Sequence, residues 1–374
     1  MGKSAADWMA EGDAHYDAQR WDDAGRAIEA ALALAPACSA EDARAWYRLG
    51  NVREEQGLDD AAARCFARAV ELDPAQAQAW NNYGAALQRL GKTQPAITAY
   101  RRAIAADPDL PQPVHNLGYL YASEGNYASA AECFRAALQR HPGDPTFEYL
   151  LAAACGKNPE RAPPGYVVAL FDSLAPQFDR HLLRDLEYRA PEGLATLVRP
   201  TLEAAAKAGR PAQVVDLGCG TGLVGSAIAG SGAEVVGVDL SPRMLDIAAR
   251  RGVYARLECG ELVDVLARVA AASVLAVLAA DVFIYLGRLD AVFEAVSAAL
   301  APGGVFGFSV ESTDDKSGYR LKPTGRYAHS LDYLDALAAR AGLQRRRLER
   351  CRIRREGSGY AEGWLALFGK KPHY

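Results

Sequence analysis

The stretch VVDLGCGTG, residues 214–222, decides the fold of the second half of this 374-residue chain. Its run of valine and leucine predicts a buried strand. Three glycines after the strand predict a tight turn from which a helix begins: Gly218, Gly220 and Gly222. A strand, a glycine-rich turn and a helix in this order are typical of an α/β sheet whose ligand lies against the backbone of the turn.

Asp216, two residues before the first glycine, bears on the identity of that ligand. A pyrophosphate group would lie at the helix N-terminus, and a carboxylate at the same turn would repel it. The stretch therefore favours a ligand without phosphate groups. Residues 220–225 nevertheless also fit the G-x-G-x-x-G pattern of NAD-binding turns, so on this stretch alone both ligands stay open.

The second predicted strand, residues 234–239, ends in Asp239, whose carboxylate can accept hydrogen bonds from both hydroxyls of a ribose. Residues 239–245 read DLSPRML. Together with D-x-G-x-G-x-G at residues 216–222, this string resembles the class I S-adenosylmethionine-dependent methyltransferases. The resemblance implies S-adenosylmethionine as the cofactor and S-adenosylhomocysteine as the product.

The resemblance also implies which residues bind the cofactor. Asp239 is expected to hold the ribose, Met244 to pack on the adenine and Glu261 to meet the adenine amino group. The complete predicted set consists of Asp216, Gly218, Cys219, Gly220, Gly222, Asp239, Leu240, Met244, Gly260, Glu261, Leu262, Ala280, Asp281, Phe171 and Phe178. The last two belong to a segment in which Phe-Asp occurs twice, seven residues apart and interrupted by Pro176. That segment resembles the family's lid over the cofactor; an ordinary helix packed on the sheet is the alternative.

Three residues are candidates to orient or deprotonate the methyl acceptor. Asp281 and Tyr285 follow the fourth predicted strand, at the sheet edge where α/β proteins bind ligands. His329, in GRYAHS before a predicted helix, has a suitable ordinary pKa for a base, although a helix cap or a surface position is the plainer interpretation. Methyl transfer mostly needs alignment of the reactants, so no strong base is required.

Alternating strands and helices predict a Rossmann-like α/β fold, a seven-stranded, mostly parallel sheet with a reversed final hairpin. The strands are expected at 213–217, 234–239, 254–258, 274–280, 304–310, 345–354 and 363–369. Eight arginines lie between residues 340 and 355. They are expected on the solvent-facing side of the sixth strand, and binding of nucleic acid or of an acidic partner is the less favoured explanation for them.

The first half of the chain repeats with a period of 34 residues. Trp46, Trp80 and Val114 begin three copies, each with a glycine, alanines, an aromatic residue and a closing proline at matching positions, and a looser copy ends at Pro36. The pattern resembles the tetratricopeptide repeat, with units at about 5–38, 43–76, 77–110 and 111–144 and a capping helix from Pro145 to Ala154. In each unit two antiparallel helices cross at the small residues, and the aromatic residues are expected to fill the gaps to the next unit.

These patterns predict an all-α repeat solenoid at residues 1–155, a linker at 156–165 and a methyltransferase domain at 166–374 with lid helices at 166–189. The concave face of the repeats is expected to present Tyr47, Asn51, Asn81, Asn82, Gln88, His115, Asn116 and Tyr119. Such a face can bind a protein or peptide segment through paired amide hydrogen bonds. Solvated polar residues without a partner are the alternative.

Composition restricts the remaining classes. The net charge of −4 gives no general reason to expect nucleic acid or a membrane surface as a partner. The seven cysteines are dispersed without the spacing of a disulfide framework or a zinc site. We therefore expect no metal. The N-terminal residues lack the apolar core of a signal peptide and no uncharged run reaches the length of a membrane helix, so we expect a cytoplasmic protein.

The prediction is a methyltransferase with an unidentified acceptor, to which the repeats recruit a protein partner or substrate. Two alternatives stay open within this fold. One is a repeat scaffold with an inactive cofactor-binding domain, and the other is a small-molecule methyltransferase whose repeats serve assembly. An NAD-dependent oxidoreductase is the third.

Overall fold

The computed structural model describes residues 2–34, 39–175, 178–180, 182–183, 186–210, 212–356 and 359–371. The chain divides into two compact units, residues 1–151 and 152–374. Pro36, Cys38 and Pro176 lie outside the described residues. Within the described part, no helix is long and apolar enough to cross a membrane.

The first unit consists of helices that pack in pairs, as the 34-residue period predicts. The pairs are α1 (Ala5–Asp17) with α2 (Trp21–Leu34), α3 (Ala40–Glu55) with α4 (Asp59–Leu72), α5 (Ala77–Arg89) with α6 (Thr93–Ala106), and α7 (Pro111–Ser123) with α8 (Tyr127–Arg140). A ninth helix, α9 (Pro145–Ala154), follows the last pair. Ser4 and Ser39 cap α1 and α3 in reciprocal hydrogen bonds with Asp7 and Asp42.

Each pair closes around a glycine and a large side chain from its own two helices. A Cβ atom added at the glycine would meet the ring of the partner at 2.5 Å for Gly50 and Phe66, 2.7 Å for Gly84 and Tyr100, and 2.3 Å for Gly118 and Phe134. The aromatic residues thus fill space inside their own unit. Phe66 also packs in a cluster with Ala86 of the following unit, so the expected filling between units is only part of its role.

The second unit is built on a nine-stranded sheet among the described residues, with the order β3-β2-β1-β4-β5-β7-β6 and β9 placed between β5 and β8. The strands are β1 (Gln213–Leu217), β2 (Glu234–Asp239), β3 (Arg256–Cys259), β4 (Val274–Ala279), β5 (Leu300–Ser312), β6 (Tyr319–Leu321), β7 (Tyr327–His329), β8 (Leu343–Glu356) and β9 (Gly359–Lys370). Strands β6, β8 and β9 pair antiparallel and the others parallel. The predicted mixed sheet with a reversed final hairpin is confirmed.

Helices cover both faces of this sheet. They are α10 (Pro164–Leu174), α11 (Phe178–Arg180), α12 (Ala190–Lys207), α13 (Leu223–Ala227), α14 (Pro242–Arg250), α15 (Leu262–Leu266), α16 (Asp290–Ala299) and α17 (Leu331–Arg340), with a short 3-10 helix at Phe283–Tyr285. The core is rich in phenylalanine, for example Phe283, Phe293 and Phe308, whose rings meet edge to face. Burial of these rings fixes the height of the helices above the sheet.

Two short strands, β6 and β7, were not expected from the sequence. They lie in the crossover after β5, and β7 forms from the GRYAHS stretch, for which only a position before a helix was predicted. Because β5 continues to Ser312, beyond the predicted end, its last residues Glu311 and Ser312 are free to pair with Ala328 and His329. Three residues without a long periodic pattern carry no local signal for such a strand.

The stretch expected as a linker, residues 156–165, is hydrogen-bonded to the second unit. The side chain of Asn158 donates to the carbonyl of Tyr319 at 2.8 Å and accepts from the amide of Leu321 at 2.7 Å. Further along, the carbonyl of Glu160 accepts from the amide of Gly287 at 2.8 Å. We call residues 158–162 the entry segment, because they lead into the wall of the site described below.

Candidate functional site

A cavity opens at the carboxyl edge of the sheet, between β1, β2 and β4 and the segment from α10 to residue 191. Most of the residues predicted to form the site line this cavity: Phe171, Phe178, Gly218, Cys219, Gly220, Asp239, Leu240, Glu261, Leu262, Ala280, Asp281 and Tyr285. Five predicted residues are not among its lining residues: Asp216, Gly222, Met244, Gly260 and His329.

The three glycines of the turn after β1 have different roles. All three have positive φ angles, +61° at Gly218, +52° at Gly220 and +93° at Gly222, which side chains other than hydrogen rarely allow. A Cβ atom at Gly218 would meet Val282 at 2.5 Å, and one at Gly222 would meet Tyr254 at 2.9 Å. At Gly220 the nearest atom, on Phe178 of the lid, is 3.6 Å away. Gly220 is therefore the glycine whose backbone faces open space.

Asp216 lies behind the turn and does not reach the cavity. Its side chain is fully buried and accepts a 2.7 Å hydrogen bond from the hydroxyl of Tyr254. The same hydroxyl accepts from the amide of Gly225 at 3.3 Å. Burial raises the pKa of Asp216 to about 7. Asp216 therefore holds Tyr254 and the start of α13 in place, a role that the sequence reasoning missed because Tyr254 was expected only as the start of a strand.

Asp239 at the end of β2 is fixed by two backbone amides. One carboxylate oxygen accepts from the amide of Gly220 and the other from the amide of Ser241, both at 2.8 Å. Burial raises the pKa of Asp239, and these amides oppose the rise. Leu240 continues the cavity wall, whereas Met244 is fully buried in the core. A nucleoside would thus meet Leu240 rather than Met244.

Glu261 has a partner that the sequence did not suggest. The guanidinium of Arg161, in the entry segment, donates to its carboxylate. Both side chains line the cavity, and the buried Leu262 lies next to them. The backbone of Gly260, by contrast, donates to the carbonyl of Asp239 at 3.0 Å and supports the wall from outside.

The predicted lid covers this region. The rings of Phe171 and Phe178 meet edge to face at 5.7 Å, and Phe171 meets Tyr285 at 5.4 Å. The aspartates of the two Phe-Asp pairs tie the lid to the loops below. Asp172 accepts a hydrogen bond from the hydroxyl of Ser241, and Asp179 accepts hydrogen bonds from the hydroxyl of Thr221 and from Arg251.

Asp281 lies on the other side of β1, at the end of β4, and joins a buried ionic network. One oxygen of its carboxylate accepts from Arg354 at 2.7 Å, while the other has no hydrogen-bond partner among the described residues. Arg354 also donates to Glu311, which pairs with Lys322 at 2.6 Å. Burial raises the pKa of Asp281, and the charge of Arg354 opposes the rise. Burial alone would also raise the pKa of Glu311, but the positive charges of Arg354 and Lys322 bring this pKa below its usual value.

The inward position of Arg354 corrects the expectation that the arginines after residue 340 all face solvent. Its side chain is 2% exposed, whereas Arg345, Arg346, Arg347, Arg350, Arg352 and Arg355 are exposed. The pairing of β8 with β9 shifts register between Arg352 and Arg354. A bulge of this kind breaks the alternation of inward and outward side chains, so counting alternate residues fails at this point.

Tyr285 and His329, the other two candidates to act on the acceptor, differ in position. Tyr285 lines the cavity, and burial raises the pKa of its hydroxyl, which is hydrogen-bonded with Arg326. His329 is fully buried in β7, with Nε2 3.1 Å from the carbonyl of Gly287. Burial lowers the pKa of His329 to about 4. Its position therefore gives no support to a role as a base.

In the repeats, the asparagines predicted for the concave face bind one another. Asn82 donates to Asn51 at 3.1 Å, Asn81 donates to Asn82 at 3.2 Å, and Asn116 donates to Asn81 at 3.0 Å. His115 lies 3.4 Å from the oxygen of Asn116. We call these five side chains the asparagine ladder. It runs across three consecutive units of the repeat.

No group of three or more His, Cys, Asp or Glu side chains that could hold a metal ion occurs in the described part of the chain. Two pairs of opposite charge line the cavity, Arg161 with Glu261 and Arg354 with Asp281.

Comparisons with known proteins match both units. Residues 215–306 match a family model described as a methyltransferase domain. Models of the tetratricopeptide repeat match residues 9–63, 60–111 and 111–154.

The chain is also similar to parts of several curated methyltransferases. The chain is 30% identical over 149 residues to the ubiquinone biosynthesis O-methyltransferase of Bordetella avium, covering 35% of this chain and 62% of that protein. It is 43% identical over 54 residues to an 18S rRNA (guanine-N(7))-methyltransferase of Mus musculus, covering 14% and 19%. The chain thus spans less than two thirds of the length of either relative.

A solved S-adenosylmethionine dependent methyltransferase from Mesorhizobium loti is 21% identical, with a TM-score of 0.35 and coverage of 46% of this chain and 98% of that chain. A similarity of this size has no bearing on substrate.

Proposed function

We propose that this chain, in which tetratricopeptide repeats precede a class I S-adenosylmethionine-dependent methyltransferase domain, transfers a methyl group to an acceptor held on the β4 side of its cavity. The observation that carries the proposal is the position of Asp239. Its carboxylate is held by two amides at the end of β2, on the wall of a cavity whose floor is the open backbone of Gly220. This arrangement suits a ribose beside a turn that has no phosphate to bind.

The residues present fit the cofactor. Asp239 would accept from the ribose hydroxyls, Leu240 and Leu262 supply apolar contacts for an adenine ring, and Gly220 allows close approach of its backbone. When bound, S-adenosylmethionine supplies a methyl group on a sulfonium, which needs alignment more than activation. Phe171 and Phe178 cover the site and exclude water, which is the main task of the lid.

Asp281 is the residue proposed to act on the acceptor. One of its carboxylate oxygens is buried without a hydrogen-bond partner among the described residues, and an N–H or O–H of the acceptor would provide one. Because burial raises the pKa of Asp281, the carboxylate is a better proton acceptor than an exposed aspartate. Tyr285 lies against the lid on the same wall and orients the acceptor.

The repeats are proposed to bind an extended segment of a protein that is the substrate or that recruits it. The asparagine ladder supports this role, since each amide has two N–H donors and one oxygen acceptor and can bind a peptide backbone in addition to its neighbour. Tetratricopeptide repeats commonly mediate protein interactions.

Titration calorimetry with the full chain tests the cofactor. We expect S-adenosylmethionine and S-adenosylhomocysteine to bind, and Asp239→Asn to weaken binding about tenfold or more because a charge-assisted hydrogen bond is lost. The exposed Asp246 provides the matched control, Asp246→Asn. Absence of binding, or binding of NAD in its place, contradicts the proposal.

Transfer of a labelled methyl group into a cell lysate tests the acceptor class. The products are separated into protein, nucleic acid and small molecules. If the repeats recruit the substrate, the double variant Asn82→Ala/Asn116→Ala should put less label into the accepting fraction than the wild type does, while Gln94→Ala, on the exposed part of α6, should not. Equal labelling by all three chains would assign the repeats a role apart from substrate binding.

A further inference from the structure

The two sides of the cavity differ in chemistry. Asp239 ends β2 and Glu261 follows β3, whereas Asp281 follows β4 and Arg354 lies in β8, on the other side of β1. Neighbouring strands are about 4.8 Å apart, so the two groups face different parts of a bound molecule. The side formed by β4, β5, β7 and β8 is where the acceptor of the proposed reaction would lie.

Arg326 brings a second guanidinium to this acceptor side. It stands directly before β7, in a turn closed by a 2.8 Å hydrogen bond from the amide of Lys322 to the carbonyl of Arg326. Its side chain lines the cavity and is hydrogen-bonded with Tyr285. Its charge also acts on Asp281 and Glu311. The arginine is thus built into the site by its own short hairpin of β6 and β7.

The charges of this cluster favour an anion. Among the described residues it holds three cationic side chains, those of Lys322, Arg326 and Arg354, and two carboxylates, those of Asp281 and Glu311. Arg354 is oriented by both carboxylates. A guanidinium has five N–H donors and matches a carboxylate in a two-pronged contact, so Arg326 can hold Tyr285 and a ligand carboxylate together.

The rest of the nearby wall is apolar. Val167, Leu174, Leu182 and Leu186 line the same cavity. Apolar walls with a few convergent polar groups are typical of sites for small molecules, in which the polar groups fix orientation. The body of the acceptor should therefore be largely apolar.

We propose that the methyl acceptor is a small, mostly apolar molecule with a carboxylate that pairs with Arg326. This inference rests on the proposed methyl transfer and names its substrate class. Arg326 selects and orients the acceptor, while Asp281 meets the atom that receives the methyl group. The repeats then bind a protein that delivers or receives this molecule.

Calorimetry on the full chain saturated with S-adenosylhomocysteine tests the inference, with benzoate and its neutral analogue benzamide as probes. We expect benzoate to bind the wild type at least about tenfold more tightly than benzamide, because a charge-assisted contact discriminates between them. Arg326→Gln should remove this preference and leave the affinity for S-adenosylhomocysteine within about twofold. Arg352→Gln, which changes an exposed arginine of β8, should keep the preference.

Three results overturn the inference. The wild type binding both probes equally, or neither, excludes a carboxylate site and needs no variant. A tenfold loss of S-adenosylhomocysteine affinity in Arg326→Gln would assign the arginine to the amino-acid part of the cofactor.

Should that variant fail to fold, Arg326→Lys keeps the charge without the two-pronged contact and should selectively lower the affinity for benzoate. Failure of the wild type to bind S-adenosylhomocysteine is seen in the first titration and overturns the proposed function itself.

Discussion

At the scale of single residues, the site depends on side chains that hold other side chains. Tyr254 fills the space left by Gly222 and Gly225 and donates to the buried Asp216. Arg354 connects Asp281 and Glu311. Tyr254 and Arg354 lie outside the sequence motifs, yet Tyr254 holds Asp216 and Arg354 holds Asp281, which belong to them. Their removal should therefore be felt in stability as well as in binding.

The stability contribution of Asp216 should depend on pH. Its pKa of about 7 in the folded chain lies above the ordinary aspartate value of 3.8. A carboxyl group with a raised pKa contributes stability that is fully present below about pH 4 and is lost as the pH rises to about 7. Compared with the wild type, Asp216→Asn should gain up to about 1.4 kcal/mol of unfolding free energy per pH unit between pH 5 and 7.

Urea unfolding at several pH values measures this difference. The exposed Asp246→Asn is the control and should differ from the wild type by a constant amount over the same range. If the Asp216→Asn difference were also constant, Asp216 would not titrate in this range.

Breaking the Arg354 network should destabilise the second unit strongly. Arg354→Met leaves Asp281 and Glu311 buried without their shared cation, at a cost of about 3–5 kcal/mol. Arg350→Met removes a pair with Glu362 on the surface and should cost at most about 1 kcal/mol. Urea unfolding of both variants checks the contrast, and equal losses would mean that the buried network contributes no more than the surface pair.

At the scale of elements, the repeats depend on close crossing of two helices. In the last pair, a Cβ atom at Gly118 would lie 2.3 Å from the ring of Phe134. Overpacking of this kind forces the ring or the backbone to move. The same geometry in the other pairs explains why a glycine and a large side chain recur together along the chain.

Gly118→Ala should therefore lower the free energy of unfolding by about 1–3 kcal/mol. The double variant Gly118→Ala/Phe134→Leu should be less destabilised than the sum of its single changes, because the smaller side chain makes room for the methyl group. Gly165→Ala, at a helical glycine with no atom within 4 Å of the added Cβ, is the neutral control. Thermal unfolding followed by circular dichroism measures all four variants. Additive losses would show that the crossing is not tight.

At the scale of the whole molecule, each unit has its own hydrophobic clusters. One set includes Phe66 and Ala86 in the repeats, and another includes Phe293 and Phe308 beside the sheet. The cavity proposed to bind the cofactor is lined entirely by residues of the second unit. Ligand binding stabilises the part of a protein that binds it.

Scanning calorimetry should therefore resolve two unfolding transitions. Saturating S-adenosylhomocysteine should raise the midpoint temperature of one of them, that of the second unit. A ligand concentration a thousandfold above the dissociation constant stabilises the folded unit by about 4 kcal/mol. Asp239→Asn should reduce the shift of that transition and leave the other unchanged. Equal shifts of both midpoint temperatures would contradict the prediction that the ligand stabilises the second unit alone.

The sequence by itself determined the helix pairs of the repeats and the start of the sheet, because local patterns encode them. The 34-residue period specified the helix pairs, and the strand-turn-helix at residues 214–222 specified the sheet and the position of its cavity, because periodicity and turn residues act over a few neighbouring positions. The positions of Asp239, Gly220, Phe171 and Phe178 at the cavity belong to the same class, since a strand end or a short motif predicts each of them. These predictions needed no contact between distant parts of the chain.

Only the tertiary structure decided which side chains meet across long separations. Arg161 reaches Glu261, and Arg354 reaches Asp281, through pairings that no spacing predicts. Arg354 turns inward at a shift in register, and His329 is buried because β7 pairs with the extended end of β5. The reason is physical: burial and ion pairing depend on the packing of whole elements, so the side of the cavity that we propose for the acceptor forms only when the sheet has formed.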